Sequence, residues 1–230
     1  MTILLYDLVG SDTTRPFSPH CWKVAMALAH KGLDYRTMPT RFLEVPDIEG
    51  GASKTVPVIR DGDAVVPDSF TIALHLEHAY PDRPSLFGGA GGEAHARFIE
   101  RWSQLTIHPY LSVAALTALH GMQDETNAAY FRQSREARYG RPLEEVTAAR
   151  DAGLSAFRAS LEPLRGMLAY QPWIGGTAPL FADYIVFGAF QWARIATPYT
   201  LLDDADPVAE WFGRCLNLHN GLGLSVAAAA

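Results

Sequence analysis

Short apolar runs broken by turn residues fill the first eighty positions, and helix-spaced apolar residues fill most of the remaining chain. Residues 2–7 read as a short buried strand. Gly10 to Phe17 is a polar turn region. Pro19 suits the first turn of a helix, where its missing N–H costs nothing, so Ser18 falls at or beside the N-cap. That helix runs to about His30, with Gly32 as its C-terminal stop. Tyr35–Met38 predicts a second strand, making a β-α-β unit with parallel strands. Residues 39–54 mix charges with Pro46 and Gly50-Gly51 and predict an irregular segment with at most one helical turn. Val56–Ile59 and Ala64–Val66, separated by Asp61-Gly62-Asp63, predict a β-hairpin. Pro57 inside the first run removes a ladder donor, which fits a sheet edge or a cis peptide that turns backbone groups outward. Asp68 or Ser69 caps a helix that continues through Thr71–Tyr80.

The pattern then changes. Residues 81–92 are rich in Pro and Gly and read as a linker; no strand precedes the glycines and no Lys-Ser/Thr follows them, as a phosphate loop would need. Beyond residue 93 strand signals vanish. Ala94–Gly121 predicts one long helix kinked at Pro109, Asn127–Tyr139 a second, and Leu143–Leu168 a third, bent at Glu162-Pro163. Asp183–Ile195 is nearly all apolar and predicts a buried central helix. Asp206-Pro207 opens the last one, through Trp211, Phe212 and Leu216. The expected organisation is a small α/β domain over 1–80, a linker over 81–92 and an all-helical domain over 93–230.

Composition narrows the function classes. The 230 residues are 48% hydrophobic and 19% charged, enough for a real core. The net charge of −6 and the lack of a basic block argue against a nucleic-acid partner. No apolar run reaches the roughly 18 residues of a membrane helix, and no secretion signal is visible. Cys21 and Cys215 lie too far apart for a disulfide framework or a zinc motif and suit reduced thiols in a cytoplasmic protein. His75 and His78 share a helix with no third ligand in view, so no metal site is expected.

Three loci carry candidate chemistry. In thiol-handling thioredoxin-type folds a Cys-x-x-Cys stands where this chain has Ser18-Pro19-His20-Cys21. With the first sulfur replaced, a serine hydroxyl at a helix N-terminus can instead donate to a thiolate brought by a ligand. The Val56-Pro57 peptide can pair with an extended ligand in strand-like fashion. Asp68-Ser69, at another helix N-terminus, can neutralise an amine and hold a carboxylate. Each feature alone is an ordinary cap or edge; their order and spacing make the pattern specific. Arg41 and Lys54 are candidate cations for a second carboxylate, with a solvated surface charge as the alternative for each. His20 is a candidate donor to the thiolate, Cys21 an inert thiol on the inner helix face. Phe17, Tyr110, Tyr130, Phe131 and Trp192 are candidates for an apolar pocket, with core packing the favoured alternative for Trp192.

Taken together these elements resemble the glutathione transferases. Within that family the chain is most similar to the bacterial β-aryl-etherase and fungal etherase-like classes, through Leu5–Leu8, Ser18-Pro19, His30–Gly32, Val45–Glu49, Tyr80–Pro84, Ser134–Glu136, Phe181–Tyr184 and Gly221–Gly223. The resemblance implies an α/β thioredoxin-like N-terminal domain followed by an all-α C-terminal domain. It further implies a cytoplasmic homodimer, with glutathione as cosubstrate at the first domain and a hydrophobic acceptor against the second. By this resemblance Ser18 is the catalytic residue, and Ser18, His20, Arg41, Lys54, Val56, Pro57, Asp68 and Ser69 form the glutathione site. Two departures stand out. Leu180 occupies the position three residues before Asp183 where the family usually has Ser or Thr, so Asp183 would cap without a hydroxyl partner. Pro16 stands where an etherase can carry another hydroxyl residue, which puts ether cleavage in doubt. Rival functions are a non-catalytic glutathione-dependent binding protein for aromatic compounds, thiol-disulfide exchange through Cys21, and an isomerase that recycles glutathione.

Overall fold

Strand β1 (Ile3–Leu8) lies at the heart of a four-stranded sheet with order β2-β1-β3-β4, in which β2 is Tyr35–Thr40, β3 Val58–Asp61 and β4 Ala64–Pro67. The structure, a computed structural model, describes residues 2–230. β1 runs parallel to β2, with Ile3 opposite Tyr35 and Leu8 opposite Thr40, and antiparallel to β3, with Tyr6 opposite Val58. The side-chain period of two places Ile3, Leu5 and Asp7 on one buried face, so a carboxyl occupies a core position. β2 continues through Pro39, which an edge strand tolerates because its missing N–H faces outward. β3 and β4 form the expected hairpin, with Asp61 paired to Ala64 and Gly62 at φ +61°.

Helix α1 (Pro19–His30) follows β1 and α2 (Ser69–Ala79) follows β4. The Val56–Pro57 peptide is cis, and β3 starts just after it, which reconciles the proline with a central strand. The segment 42–50 is more ordered than its composition suggests: it is a 3₁₀-type stretch interrupted at Ile48 and Glu49, with Glu49 in the left-handed region at φ +50°.

The remainder is helical: α3 (Ala90–Ala114), α4 (Leu116–Gly121), α5 (Glu125–Tyr139), α6 (Leu143–Ala148), α7 (Arg150–Ser160), α8 (Glu162–Leu168), α9 (Phe181–Ala196) and α10 (Pro207–Leu216). Three expectations need correction. The helix passes through Pro109 and breaks instead at Ala115 (φ −102°, ψ 1°). The single helix expected over 143–168 is three, because Ala149 and Leu161 each close a turn and Pro163, lacking an N–H, can only begin a new helix. Helix α3 also begins at Ala90, inside the segment read as linker.

Helix α9 is the centre of the helical half, buried on nearly all sides, and packs on both α1 and α3. Its start is fixed without the hydroxyl missing at Leu180. The Asp183 carboxylate accepts four N–H donors: Ile174 N (2.8 Å), Gly175 N (2.8 Å), Leu180 N (3.0 Å) and Trp211 Nε1 (3.0 Å). A buried carboxylate so saturated ties α9, α10 and the 173–176 turn together.

Candidate active site

Ser18 is the N-cap of α1: its Oγ accepts the Cys21 N–H at 3.2 Å, and Pro19 takes the first helical position. One acceptor lone pair is thus spent while the hydroxyl hydrogen stays available. Ser18 lies on the wall of a cleft of ≈ 520 Å³ between the sheet-bearing half and the helical half. Phe17, His20, Lys54, Val56, Tyr130, Phe131 and Trp192 line the same cleft. Cys21 does not: it is fully buried behind Ser18, its thiol pushed well up by burial and by Asp7, and its Sγ–H is directed at the Tyr6 carbonyl (3.7 Å). A thiol so placed cannot meet a disulfide in solution.

The two other loci meet beside the cis peptide. Asp68 N–H donates to the Pro57 carbonyl (3.2 Å), which sets the cap of α2 against the start of β3. Asp68 adopts φ +71°, and one of its oxygens accepts from Phe70 N (3.1 Å), Thr71 N (2.9 Å) and Thr71 Oγ1 (3.0 Å). Ser69 is therefore the first helical residue and Asp68 the cap. Neither the Ser69 hydroxyl nor the Val56 backbone takes a protein partner among the described residues, so both stay open to a ligand.

Two candidates fall elsewhere. Arg41 is held by carboxylates, with Asp124 at 3.4 Å and Glu44 at 3.7 Å, and joins the 42–50 segment to the start of α5. Tyr110 stacks on Phe157 (4.3 Å between ring centroids) and donates to the Arg150 carbonyl (2.9 Å), so it is an α3–α7 packing residue and does not line the cleft. Pro57, Asp68 and Ser69 also lie outside the cleft wall, at its edge behind Val56.

The structure adds residues that sequence reasoning did not single out. His108 stacks on His20 (5.4 Å, 10° between planes) and lies tilted beside Trp192 (6.4 Å). Its Nδ1–H donates to the Ser103 carbonyl (3.1 Å), which fixes the tautomer. Burial, then the charge of Lys23, brings its pKa down to about 4, so the ring is neutral. Burial, Lys23 and His108 likewise hold His20 well below the ordinary imidazole range. Lys23 is a fully buried cation one turn into α1, paired with Glu100 of α3 at 3.3 Å. Arg135 and Arg138 of α5 also line the cleft. Nothing local marks these residues: each enters the site through the contact of the two halves of the chain.

The chain as a whole has counterparts among known proteins. Residues 94–215 match the family described as "Glutathione S-transferase, C-terminal domain", and residues 13–84 match "Glutathione S-transferase, N-terminal domain". The chain belongs to the glutathione S-transferase family. Among relatives, glutathione S-transferase Z1 of Arabidopsis thaliana is 41% identical over 69 residues, 28% of this chain and 31% of that protein, so this match spans under a third of the relative's length. Among solved structures, glutathione transferase GSTFuA3 from Phanerochaete chrysosporium superposes with a TM-score of 0.71 at 27% identity, over 96% of this chain and 92% of that one. CsGST83044 of Ceriporiopsis subvermispora, solved in complex with glutathione, shares the fold with a TM-score of 0.75 at 23% identity, over 96% and 94%. The glutathione S-transferase architecture, a thioredoxin-like half followed by an all-helical half, is thus that of this chain. No helix among the described residues is long and apolar enough to cross a membrane.

Proposed function

We propose that this glutathione S-transferase binds glutathione along α1, the cis Val56–Pro57 peptide and the start of α2. Its thiol, held as thiolate by Ser18, then attacks an electrophilic carbon of an apolar aromatic acceptor in the cleft. The observation that carries this reading is the Ser18 hydroxyl on the cleft wall, whose hydrogen meets no acceptor among the described residues, at the N-terminus of a twelve-residue helix. A thiol in water titrates near roughly 8.5. A hydroxyl donor and the positive end of the α1 dipole both favour the thiolate, which is the nucleophile. The Ser69 hydroxyl and α2 terminus would take the γ-glutamyl carboxylate, and the unengaged Asp68 oxygen the γ-glutamyl amine. Val56 would pair with the tripeptide backbone, and Lys54 would meet the glycyl carboxylate. The reaction is a displacement or addition: the sulfur–carbon bond forms as the leaving group departs or the acceptor takes up the thiol's proton. Catalysis then rests on proximity and on thiol pKa. Aryl ethers are one acceptor class, with Pro16 in place of a helper hydroxyl weighing against them. The working form is a cytoplasmic homodimer.

Ser18→Ala tests the reading. We expect kcat/KM for conjugation of a chloronitrobenzene to fall by roughly a hundredfold, and the pKa of bound glutathione, read from thiolate absorbance, to rise by about 1–2 units. If both stay at the wild-type value, Ser18 is only a helix cap.

A further inference from the structure

Helix α5 lays one face along the cleft, where Phe131, Arg135 and Arg138 recur at i, i+4 and i+7. The Arg135 guanidinium lies over the rings of Phe131 (4.8 Å) and Phe42 (5.7 Å). Its one side-chain partner is the neighbouring Ser134 Oγ (3.1 Å), and no carboxylate lies within ion-pair distance among the described residues. Arg132, one turn earlier, is gripped by both Glu136 (2.8 Å) and Glu144 (2.7 Å). The same helix therefore neutralises the arginine that points away from the cleft and leaves bare the one that points into it. Arg138, also without a carboxylate partner, and Lys54 line the cleft as well, and no Asp or Glu does, in a chain of net charge −6. Burial pulls Arg135 below the ordinary guanidinium range, as expected of a cation desolvated without an anion.

We propose that the acceptor of this site is an aromatic acid, its ring held among the cleft aromatics and its carboxylate on the Arg135 guanidinium, with Arg138 adding to the attraction. The inference rests on the transferase reading above and names its substrate class. A planar guanidinium braced on two rings presents its N–H fork to a carboxylate without ordering a flexible side chain first. Phe42, Phe131 and Tyr130 form the adjoining aromatic wall, with Phe42 6.3 Å from Tyr130 and 5.6 Å from Phe131. An aromatic wall with cations but no carboxylate beside it suits a small aromatic anion better than a neutral hydrocarbon.

The test compares 4-chloro-3-nitrobenzoate with its uncharged amide, which offer the same electrophilic carbon. Binding of each to the full chain is measured with S-methylglutathione in place, and conjugation of each is measured with glutathione. Wild type should bind the acid about tenfold more tightly than the amide, with the preference shrinking as salt is raised. Arg135→Gln and Arg135→Met should bring the preference to within about twofold of unity, Arg135→Lys should keep part of it, and Arg138→Gln should reduce it less than Arg135→Gln does. Far-ultraviolet circular dichroism and the thermal unfolding midpoint report whether each variant is folded. A wild type without preference, or a preference that survives Arg135→Met, overturns the proposal. So does a selective loss of S-methylglutathione affinity in the folded variants, which would place the tripeptide's own carboxylate on Arg135. Arg135-dependent binding of the acid with neither compound conjugated would uphold the anion site and remove the transferase reading. Equal binding and conjugation of both compounds would do the reverse.

Discussion

Asp7 carries more consequence for stability than any charge on the surface. It is buried on the core face of β1, its Oδ1 has no hydrogen-bond partner, and it borders a cavity of ≈ 220 Å³ that also touches Tyr35. Burial raises its pKa from 3.8 to about 7, with the neighbouring Cys21 side chain and Leu8 backbone opposing only part of the shift. The groups facing it are the Cys21 thiol of α1 and the Tyr35 phenol of β2, both raised by burial and neutral near pH 7. A carboxyl whose folded pKa exceeds its unfolded value keeps a proton that the unfolded chain releases. Stability is therefore lost as pH rises between about 4 and 7, and above pH 7 the ionised form costs roughly 4 kcal/mol. His108 acts with the opposite sign: its pKa of about 4 makes stability fall as pH drops below the ordinary imidazole value near 6.5. The two windows overlap, so the informative quantity is a difference between proteins. Asp7→Asn should raise unfolding free energy by at least about 2 kcal/mol at pH 8 and by almost nothing at pH 4, measured by urea denaturation across that range. A gain that does not change with pH would show that Asp7 is already neutral or already paired. Legibility at this scale divides by the origin of the signal. Proline, cap and turn chemistry mark Ser18, Val56 and Asp68 locally, and the structure has a helix cap, a cis peptide and a second helix cap at these three places. Lys23, His108 and Arg135 carry no such mark, because a charge on a helix reads as solvated until the opposite half of the chain covers it. Arg41 and Tyr110 are the mirror case: neither lies on the cleft wall, and each is engaged elsewhere, Arg41 by Asp124 and Tyr110 by Phe157.

Among the elements, the contact of α1 with α9 decides where Ser18 sits. Gly188, in the middle of α9, faces the first turn of α1 so closely that an added Cβ would lie 2.2 Å from the Pro19 carbonyl oxygen and 3.4 Å from the Lys23 side chain. The backbone of that turn cannot give way without carrying Ser18 with it. Gly188→Ala should therefore destabilise by about 1–3 kcal/mol and lower conjugation activity in the same variant, although Gly188 lines no part of the cleft. Gly213, within α10, is the control, because an added methyl there would meet nothing within 4 Å. At that position the same substitution should leave activity unchanged and raise stability by up to about 1 kcal/mol through helix propensity. Equal behaviour of the two variants in thermal unfolding and conjugation assays would sink this account. The periodicity made most elements legible, including the apolar α9, yet it could not show which face of α9 meets α1. Nor could it show that 143–168 divides into three, since amphipathic spacing continues across the single-residue joints at Ala149 and Leu161.

At the level of the whole molecule, the surface carries a feature that one chain does not explain. Helix α3 exposes Phe98 at 68% and Leu105 at 62%, seven residues and two turns apart on one face, with half-buried Trp102 between them in sequence. Large side chains left open at helical spacing on one stripe form a patch rather than scattered exposure, and such a patch is what a two-fold interface buries. The opposite face of α3 packs through Ile99, Ile107 and Leu111 into the core beside α9, so a covering partner would reach the site's framework through one helix. His108 and Lys23's partner Glu100 lie on that same helix, which links assembly to the electrostatics around His20. We expect the protein to sediment at twice the chain mass at micromolar concentration, and Phe98→Glu with Leu105→Glu to convert it to the single-chain mass. The two new carboxylates would be desolvated at the interface with Arg101, one turn from each, as the one cation between them on this helix, a cost of several kcal/mol for the unpaired ion that a standard interface does not absorb. The folded monomer should keep its far-ultraviolet circular dichroism, because both positions already face water. It should also show weaker conjugation, because α3 loses the support that holds His108 against His20. A wild type of single-chain mass, or a double variant that remains paired, would remove the stripe from the interface.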